Sequence, residues 1–439
     1  MKGLFSFKRV TLLLLAFFMV QTLLLPTAAK EVTSLPLPQV SGASSIYLYH
    51  YESDQVLLKR SSLKQLAPAS TVKIMTGIVA LEMLQDRLDE KVTVTEEMLA
   101  GAEGFKIHLE PKMTVTVRDL LYGVICAGGN DAAEVLAIFC SGSVEQFVEQ
   151  MNEKATAIGC TSTHYTNPCG MDEAQMTTTL EDVIRISKEA IRNELFMAMA
   201  SCPQYAVATP QKTLTLYNRN ALISTFSAAG YQNRYVKGLN AGMTDRGGYC
   251  AVAYAEKENN SYLCVVMGAT EQNGKILSYQ IVNQLLNFVF DTYSYQTIAE
   301  KGTSLCTAPL RYALPESGKE TAELTCVLGD DLLGFLPRNI DEDALVYQTF
   351  LHHDTLTAPI EKGTVVGGVD VYYEDQYIAS AKLIARESVS ANSTLLTLGN
   401  MKRIILSRVF WIALLSAILL STLYFLFLDR KKLSSKSKK

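Results

Sequence analysis

The chain has 439 residues, too many for one hydrophobic core, so it divides into two or three domains. Its 40 basic and 44 acidic residues leave a formal charge of −4, which excludes the basic footprint of a nucleic-acid-binding protein. Nine scattered cysteines with no Cys-x-x-Cys, and only five histidines, support neither a zinc site nor a disulfide framework, and no cofactor is expected.

Met1–Ala29 opens on Lys2, Lys8 and Arg9, runs through the apolar stretch Val10–Leu25 and ends on the small residues Thr27-Ala28-Ala29. That is the pattern of a secretory signal. The stretch 30–43, with Pro36 and Pro38 among serines, reads as a linker. Two short strands follow, SIYLYHYES and QVLLKR, around a turn at Ser53-Asp54. In LAPASTVKIMTGIVALEML the apolar residues Ile74, Ile78, Leu81 and Leu84 recur at helical spacing and place Ser70 at the start of a buried helix. Ser70 and Lys73 stand three apart and share a face, so hydroxyl and amine can touch. A lysine in a dry site loses part of its preference for charge and can take the serine's proton. Backbone N–H groups at the helix start suit a developing oxyanion. Alone, so common a pattern more often marks a capping serine and a surface lysine.

Strand-like pieces at 90–95 and 113–117 precede helices at 117–127 and 132–139, with the tight turn Gly128-Gly129-Asn130-Asp131 between the helices. Helices over 145–158 and 179–199 flank a polar loop, 159–178, in which His164, Asp172 and Glu173 read as hydrogen-bonding or solvated loop residues. From Val236 the pattern becomes a meander, YVKGLNAGMT, GYCAVAYAEK and SYLCVVMGAT, closed by an amphipathic helix over 276–293. Residues 44–295 thus form an α+β body. Residues 296–392, with alternating runs such as AELTCVLG and VVGGVDVYY, read as a small all-β domain. A juxtamembrane linker over 393–408 leads to an apolar run, 409–428, of the ~20 residues that cross a bilayer as a helix. The basic tail 429–439 belongs on the cytoplasmic side. With the signal, this describes a single-pass protein of the cell membrane whose body lies outside the cytoplasm.

The blocks PASTVKIMTGIVALE, DLLYGVICAGGNDAAEVLA, HYTNPCGMD and VKGLNAGMTDRGGYC stand in a telling order and spacing. They resemble those of the D-alanyl-D-alanine carboxypeptidases, the low-molecular-mass penicillin-binding proteins of the β-lactamase-like serine acyltransferases. LTAPIEKGTVVGGVDVYY resembles that family's C-terminal β domain, so the likeness runs from about Ser45 to Ala385. It implies a transpeptidase-like domain, an antiparallel sheet with helices on both sides, followed by the β domain. It also implies that Ser70 is the nucleophile, Lys73 its base and Asn130 a third catalytic residue.

Two motifs depart from the family pattern. Gly128, Gly129 and Asn130 stand for Ser-x-Asn, so the proton-relaying hydroxyl is missing. Asn240, Ala241 and Gly242 stand for Lys-Thr-Gly, so the cation that anchors a substrate carboxylate is missing too. The resemblance places substrate binding on Asn240, Gly242, Met243 and Thr244, and an oxyanion hole on the backbone N–H groups of Ser70 and Met243. Losing one proton relay typically slows a reaction ~10²–10⁴-fold. A lost charge-assisted contact weakens binding by ~1.5–3 kcal/mol. Among neighbours, Lys237 lies at an odd offset from Asn240 and faces away, whereas Arg246 lies at an even offset and is the candidate replacement cation.

The implied function is a membrane-anchored carboxypeptidase that trims D-Ala-D-Ala from peptidoglycan stem peptides through a Ser70 acyl-enzyme, with β-lactams as covalent inhibitors. Two alternatives stay open. One is a catalytically degenerate cell-wall-binding or regulatory protein; the other is a serine hydrolase whose substrate lacks a terminal carboxylate.

Overall fold

The computed structural model describes residues 37–60, 65–210, 212–226, 230–315 and 321–436, and the signal-like segment 1–29 lies outside these. Contacts divide the chain into two units. One runs through Tyr295 and takes back Phe335–Asn339; the other holds Gln296–Gly334 and the chain from Ile340 onward.

The first unit is built on a five-stranded antiparallel sheet. Its strands are β1 (Ser45–His50), β2 (Gln55–Arg60), β3 (Val236–Thr244), β4 (Gly248–Lys257) and β5 (Asn260–Ala269), in the order β2-β1-β5-β4-β3. The inner strands are apolar on both faces, and the alternation sorts their side chains between two cores. On β5, Leu263, Val265 and Met267 enter one core, while Tyr262, Cys264 and Val266 enter the other.

The first core is closed by α1 (Val72–Leu84), α2 (Val117–Ile125), α3 (Asn130–Ser141), α4 (Val144–Ala157), α5 (Leu180–Ile191) and α6 (Glu194–Ala200). The second is closed by α7 (Leu277–Thr292), through Ile281, Val282, Leu285, Leu286, Val289 and Phe290. The alanines 251, 253 and 255 of β4 lie on this second face, which lets α7 pack close.

Helix α1 is apolar nearly all round, the mark of a central helix rather than a surface one. Of its thirteen residues, eleven are buried, including Lys73. Each fully buried Leu or Ile there contributes roughly 1.5–3 kcal/mol. The helix edges carry their expected caps. Thr116 and Asp119 form a capping box at the start of α2, and the Thr179 side chain caps α5 by accepting the Asp182 N–H. The single helix expected over 179–199 is two, because Asn193 breaks the run and its side chain caps α6 by accepting the Phe196 N–H. An asparagine competes with the helical backbone in this way wherever it can start a new turn.

In the second unit, β6 (Ser304–Arg311), β7 (Glu323–Leu328), β8 (Leu345–Leu351), β9 (Leu356–Thr357), β10 (Val365–Tyr373) and β11 (Gln376–Ala385) form a six-stranded sheet in the order β8-β10-β11-β7-β6-β9. Leu324, Cys326, Leu328, Val369, Val371 and Leu383 fill its core. The stretch expected to be a juxtamembrane linker is instead a helix, α8 (Ser393–Leu406), capped by the Asn392 side chain. Gly399 permits its close approach to Tyr312, since an added Cβ would lie 2.2 Å from that ring. Helix α9 (Arg408–Lys436) follows. Among the described residues no single helix is both long and apolar enough to cross a membrane; Ser393–Leu406 and Arg408–Tyr424, bent by 63°, pass that test only together.

Candidate active site

Ser70 lies in the single turn Ala69–Thr71 that leads into α1. The turn is sterically fixed from behind. Ala69 has φ +51° and is buried, and its carbonyl oxygen lies 2.0 Å from where a Cβ on Gly170 would stand. Only glycine allows the loop to press so closely on the turn that carries Ser70.

One helical turn on, Lys73 is 1 % exposed. Its Nζ donates to the Cys169 carbonyl at 2.6 Å and lies 3.5 Å from Ser70 Oγ. Burial lowers the ammonium pKa from 10.5 to about 8; the neighbouring Cys169 thiol opposes this, and the charge of Arg219 adds to it. A group with that pKa is uncharged in roughly one molecule in ten at pH 7. The uncharged amine is an acceptor for the Ser70 hydroxyl proton, which is what a general base requires.

The loop that supplies the Cys169 carbonyl is held by the amide of Asn167. Its Oδ1 accepts the N–H groups of Cys169, Gly170 and Met171 at 3.2, 2.8 and 3.1 Å. Its Nδ2 donates to Glu173 Oε1 at 2.7 Å. The Thr76 hydroxyl of α1 donates to the Pro168 carbonyl at 2.7 Å, so loop and helix move as one piece. The far end is held by buried Asp182, whose carboxylate accepts from Ser162 N–H and the Thr163 hydroxyl.

Asn130 opens α3 and is buried. Its Nδ2 donates to the Glu103 carbonyl at 2.6 Å, and its own carbonyl accepts the Cys169 thiol at 3.5 Å. It is thus joined to Lys73 through Cys169. Asp131 accepts the N–H groups of Ile107 and Leu109 and pins that segment as one wall of the site. Gly128 sits at φ +71°, and a Cβ there would meet the aliphatic stem of Arg219 at 3.5 Å.

The strand edge forms the opposite wall. A Cβ on Gly242 would lie 2.3 Å from Ser70 Cβ and 2.6 Å from its Oγ, so this glycine is what lets β3 run directly against Ser70. Asn240 shares the face of its partner Val252, toward α1, and is buried with its Oδ1 unpartnered. Met243 is 49 % exposed. Thr244 is committed to the β3–β4 turn, where its hydroxyl oxygen accepts the Gly247 N–H at 3.0 Å.

Arg246, the expected replacement cation, is engaged elsewhere. Its N–H donates to Asp172 at 2.8 Å and its guanidinium to the Glu173 carbonyl. Asp172 and Glu173 therefore brace the loop, while the Glu173 side chain stays exposed to solvent. His164 is exposed and pairs through its backbone with Thr177.

A cleft of about 780 Å³ opens beside the strand edge, lined by Ala241, Gly242 and Met243 on one side and by Phe105, Tyr217 and Arg219 on another. Two cations line it, Lys106 and Arg219, and Arg219 is the one carried on a fixed turn. The turn carrying it is rigid: buried Asn218 accepts the Asn220 N–H and donates to the Ala200 and Cys202 carbonyls, and the Arg219 N–H donates to the Cys126 carbonyl. The guanidinium stands 4.0 Å over the Phe105 ring and has no ion-pair partner among the described residues. Its surroundings hold its pKa somewhat below the usual arginine value although the side chain is exposed to the cleft, and the group stays charged. Among the described residues no group of three or more His, Cys, Asp or Glu is placed to hold a metal ion.

Residues 31–271 match the D-alanyl-D-alanine carboxypeptidase family, and 293–391 match the C-terminal domain of penicillin-binding protein 5. The chain belongs to the D-alanyl-D-alanine carboxypeptidase family. It is 28% identical over 390 residues to the D-alanyl-D-alanine carboxypeptidase DacF of Bacillus subtilis, covering 87% of this chain and 95% of that one. Against DacD of Escherichia coli the identity is 27%, over 83% of this chain and 92% of the relative. The crystal structure of penicillin binding protein 5 from Haemophilus influenzae superposes with a TM-score of 0.58 at 26% identity, over 81% of this chain and all of that one. The carboxypeptidase DacD from Francisella tularensis gives 0.61 at 22% identity over 83% of this chain, a likeness of fold.

Within this carboxypeptidase-family frame, two contributors escape a reading of motifs: Arg219 and the Cys169 carbonyl. The signal for Arg219 is Asn218-Arg219-Asn220, an arginine between two turn-forming asparagines. The Cys169 carbonyl has no signal, since a backbone acceptor leaves no trace in residue type.

Proposed function

We propose that the protein is an active serine-type D-Ala-D-Ala carboxypeptidase that acts on peptidoglycan stem peptides from the outer face of the cell membrane. The observation that carries this reading is Lys73, buried, with its pKa lowered to about 8, 3.5 Å from Ser70 Oγ. Burying a lysine is unfavourable unless the site uses its neutral form. Ser70 Oγ attacks the carbonyl between the two D-alanines as its proton passes to Lys73. The protonated Lys73 is then the donor for the departing amine, because position 128 offers no hydroxyl. Water hydrolyses the ester to complete the cycle. Arg219 takes over the terminal carboxylate that the strand lysine holds elsewhere in the family, approaching from the Asn218–Asn220 turn instead of β3. The apolar run of α9 and the basic residues after it support anchoring in the membrane.

The test is labelling of the detergent-solubilised chain with a fluorescent penicillin, beside D-alanine release from a D-Ala-D-Ala peptide, with Ser70→Ala as control. Labelling that Ser70→Ala abolishes, together with release, supports the proposal. Labelling without release would mean a nucleophile with a different natural substrate. Neither labelling nor release from folded protein would leave a wall-binding role.

A further inference from the structure

The nine cysteines stand as free thiols, and two of them face each other away from the active site. Cys306 on β6 and Cys326 on β7 are direct partners in an antiparallel register. Direct partners share a face, with Cα atoms about 4.5–5.5 Å apart, inside the roughly 4.4–6.8 Å that a disulfide spans. The Cys326 thiol donates to the Leu324 carbonyl at 3.6 Å, and Cys306 lies close enough to perturb it. Cys326 is buried in the β-domain core, whereas Cys306 is half-exposed. Burial and then the neighbouring Cys306 push the Cys326 thiol up to about 12. Cys126 and Cys202 also approach each other, their thiols donating to the carbonyls of Cys202 and Gln204, but neither lies in a strand and no register sets them opposite each other.

We propose that Cys306 and Cys326 are a disulfide-forming pair that cross-links β6 to β7 when the protein meets a small-molecule disulfide. The reaction is thiol–disulfide exchange. Cys306, the accessible partner, attacks one sulfur of R–S–S–R as its thiolate; the Cys306–SR bond forms and RS⁻ leaves, taking up the Cys306 proton. The Cys326 sulfur then attacks the Cys306 sulfur, the protein disulfide forms, and the second RS⁻ leaves with the Cys326 proton. Two cysteine thiols are oxidised and one external disulfide is reduced to two thiols. The second step is the slow one, since little Cys326 is thiolate near neutral pH, and it accelerates as pH rises. An exported body meets such oxidants, but the chemistry rests on the strand register and not on the location. The cross-link would tie the hairpin's two strands at a point where a bulge between Ser304 and Cys306 loosens their pairing.

The test uses the full chain in detergent, exposed to excess oxidised glutathione, then denatured, alkylated with N-ethylmaleimide and digested with trypsin. Lys301, Arg311, Lys319 and Arg338 delimit the two peptides concerned, 302–311 and 320–338, each with one cysteine. The expected result is loss of two of the nine alkylatable thiols, with a linked 302–311/320–338 species that disappears on reduction and is absent from Cys306→Ser. Retention of all nine thiols would overturn the proposal. So would a glutathione adduct on Cys306 that persists without resolving, or a link from either cysteine to a different one.

Discussion

Replacing Lys73 with methionine separates the shape of this side chain from its charge. Folding lowers the lysine pKa from 10.5 to about 8. Below about pH 8 both states carry the proton, and the folded state bears the whole penalty of a desolvated ammonium. Between about 8 and 10.5 the unfolded chain binds more protons than the folded one, so stability rises with pH, by about 3 kcal/mol in all. Methionine fills a similar volume and never charges. It also leaves the Cys169 carbonyl without its donor, which costs about 1–3 kcal/mol at every pH. Lys73→Met is therefore expected to be about 0–2 kcal/mol more stable than the parent at pH 7, and this advantage shrinks by about 3 kcal/mol toward pH 10.5. Urea unfolding of both proteins at several pH values reads the difference directly. The tyrosines raised by burial titrate alike in both and cancel. In the same samples, acylation by a fluorescent penicillin should fall ~10²–10⁴-fold in the variant. In the parent it should rise about tenfold per pH unit up to about pH 8 and then level off. A stability difference that is flat from pH 7 to 10 would refute the reasoning, as would acylation that keeps rising to 10.5.

Three further outcomes follow from the geometry. Gly242→Ala puts a methyl 2.3 Å from Ser70 Cβ; acylation should drop on the order of 10²-fold while the fold survives, because a displacement of ~1 Å at a nucleophile has that effect. Unchanged labelling would mean β3 does not abut Ser70 as described. Arg219→Gln should lower kcat/KM for a peptide with a free C-terminal carboxylate roughly 10–100-fold, by loss of a charge-assisted contact. It should spare a C-terminally amidated peptide and move the acylation midpoint to higher pH, since the Arg219 charge helps depress Lys73. Equal losses on both peptides would remove Arg219 from carboxylate recognition. Gly128→Ser restores a hydroxyl at a position with φ +71°, a backbone strain of roughly 1–2 kcal/mol. A relay of this kind is worth ~10²–10⁴ in rate, so D-alanine release should accelerate at least about tenfold despite a lower melting temperature. No acceleration would place the missing relay outside the rate-limiting step.

Much of this protein is legible in its residues because the relevant physics is local. The period-two alternation of β1, β3, β4 and β5, the apolar periodicity of α1 and the i, i+3 spacing of Ser70 and Lys73 are properties of neighbouring side chains. They mark the α+β body and put Ser70 and Lys73 within reach of each other; it takes the family's ordered blocks elsewhere in the chain to suggest a nucleophile and its base. The change of texture after residue 295 separates the β domain for the same reason. Local pattern also misleads where two signals compete. Helical periodicity over 179–199 hides the break at Asn193, and the reading of 393–408 as a linker between the β domain and the apolar run passes over α8.

What residue type does not carry is distance between remote segments. That Lys73 is dry rather than solvated depends on Cys169, 96 residues away, closing over it. Gly242 reads in sequence as a kept motif glycine; its contact with Ser70 exists only because β3 folds back beside the α1 turn. The contrast between Arg246 and Arg219, which lines the cleft beside Lys106, shows the difference most sharply. In sequence Arg246 is the nearer to Asn240, but the Asp172–Glu173 loop holds it, whereas Arg219 arrives from a separate turn. Which charge is free is decided by what each one meets in space, and only the tertiary structure brings those partners together.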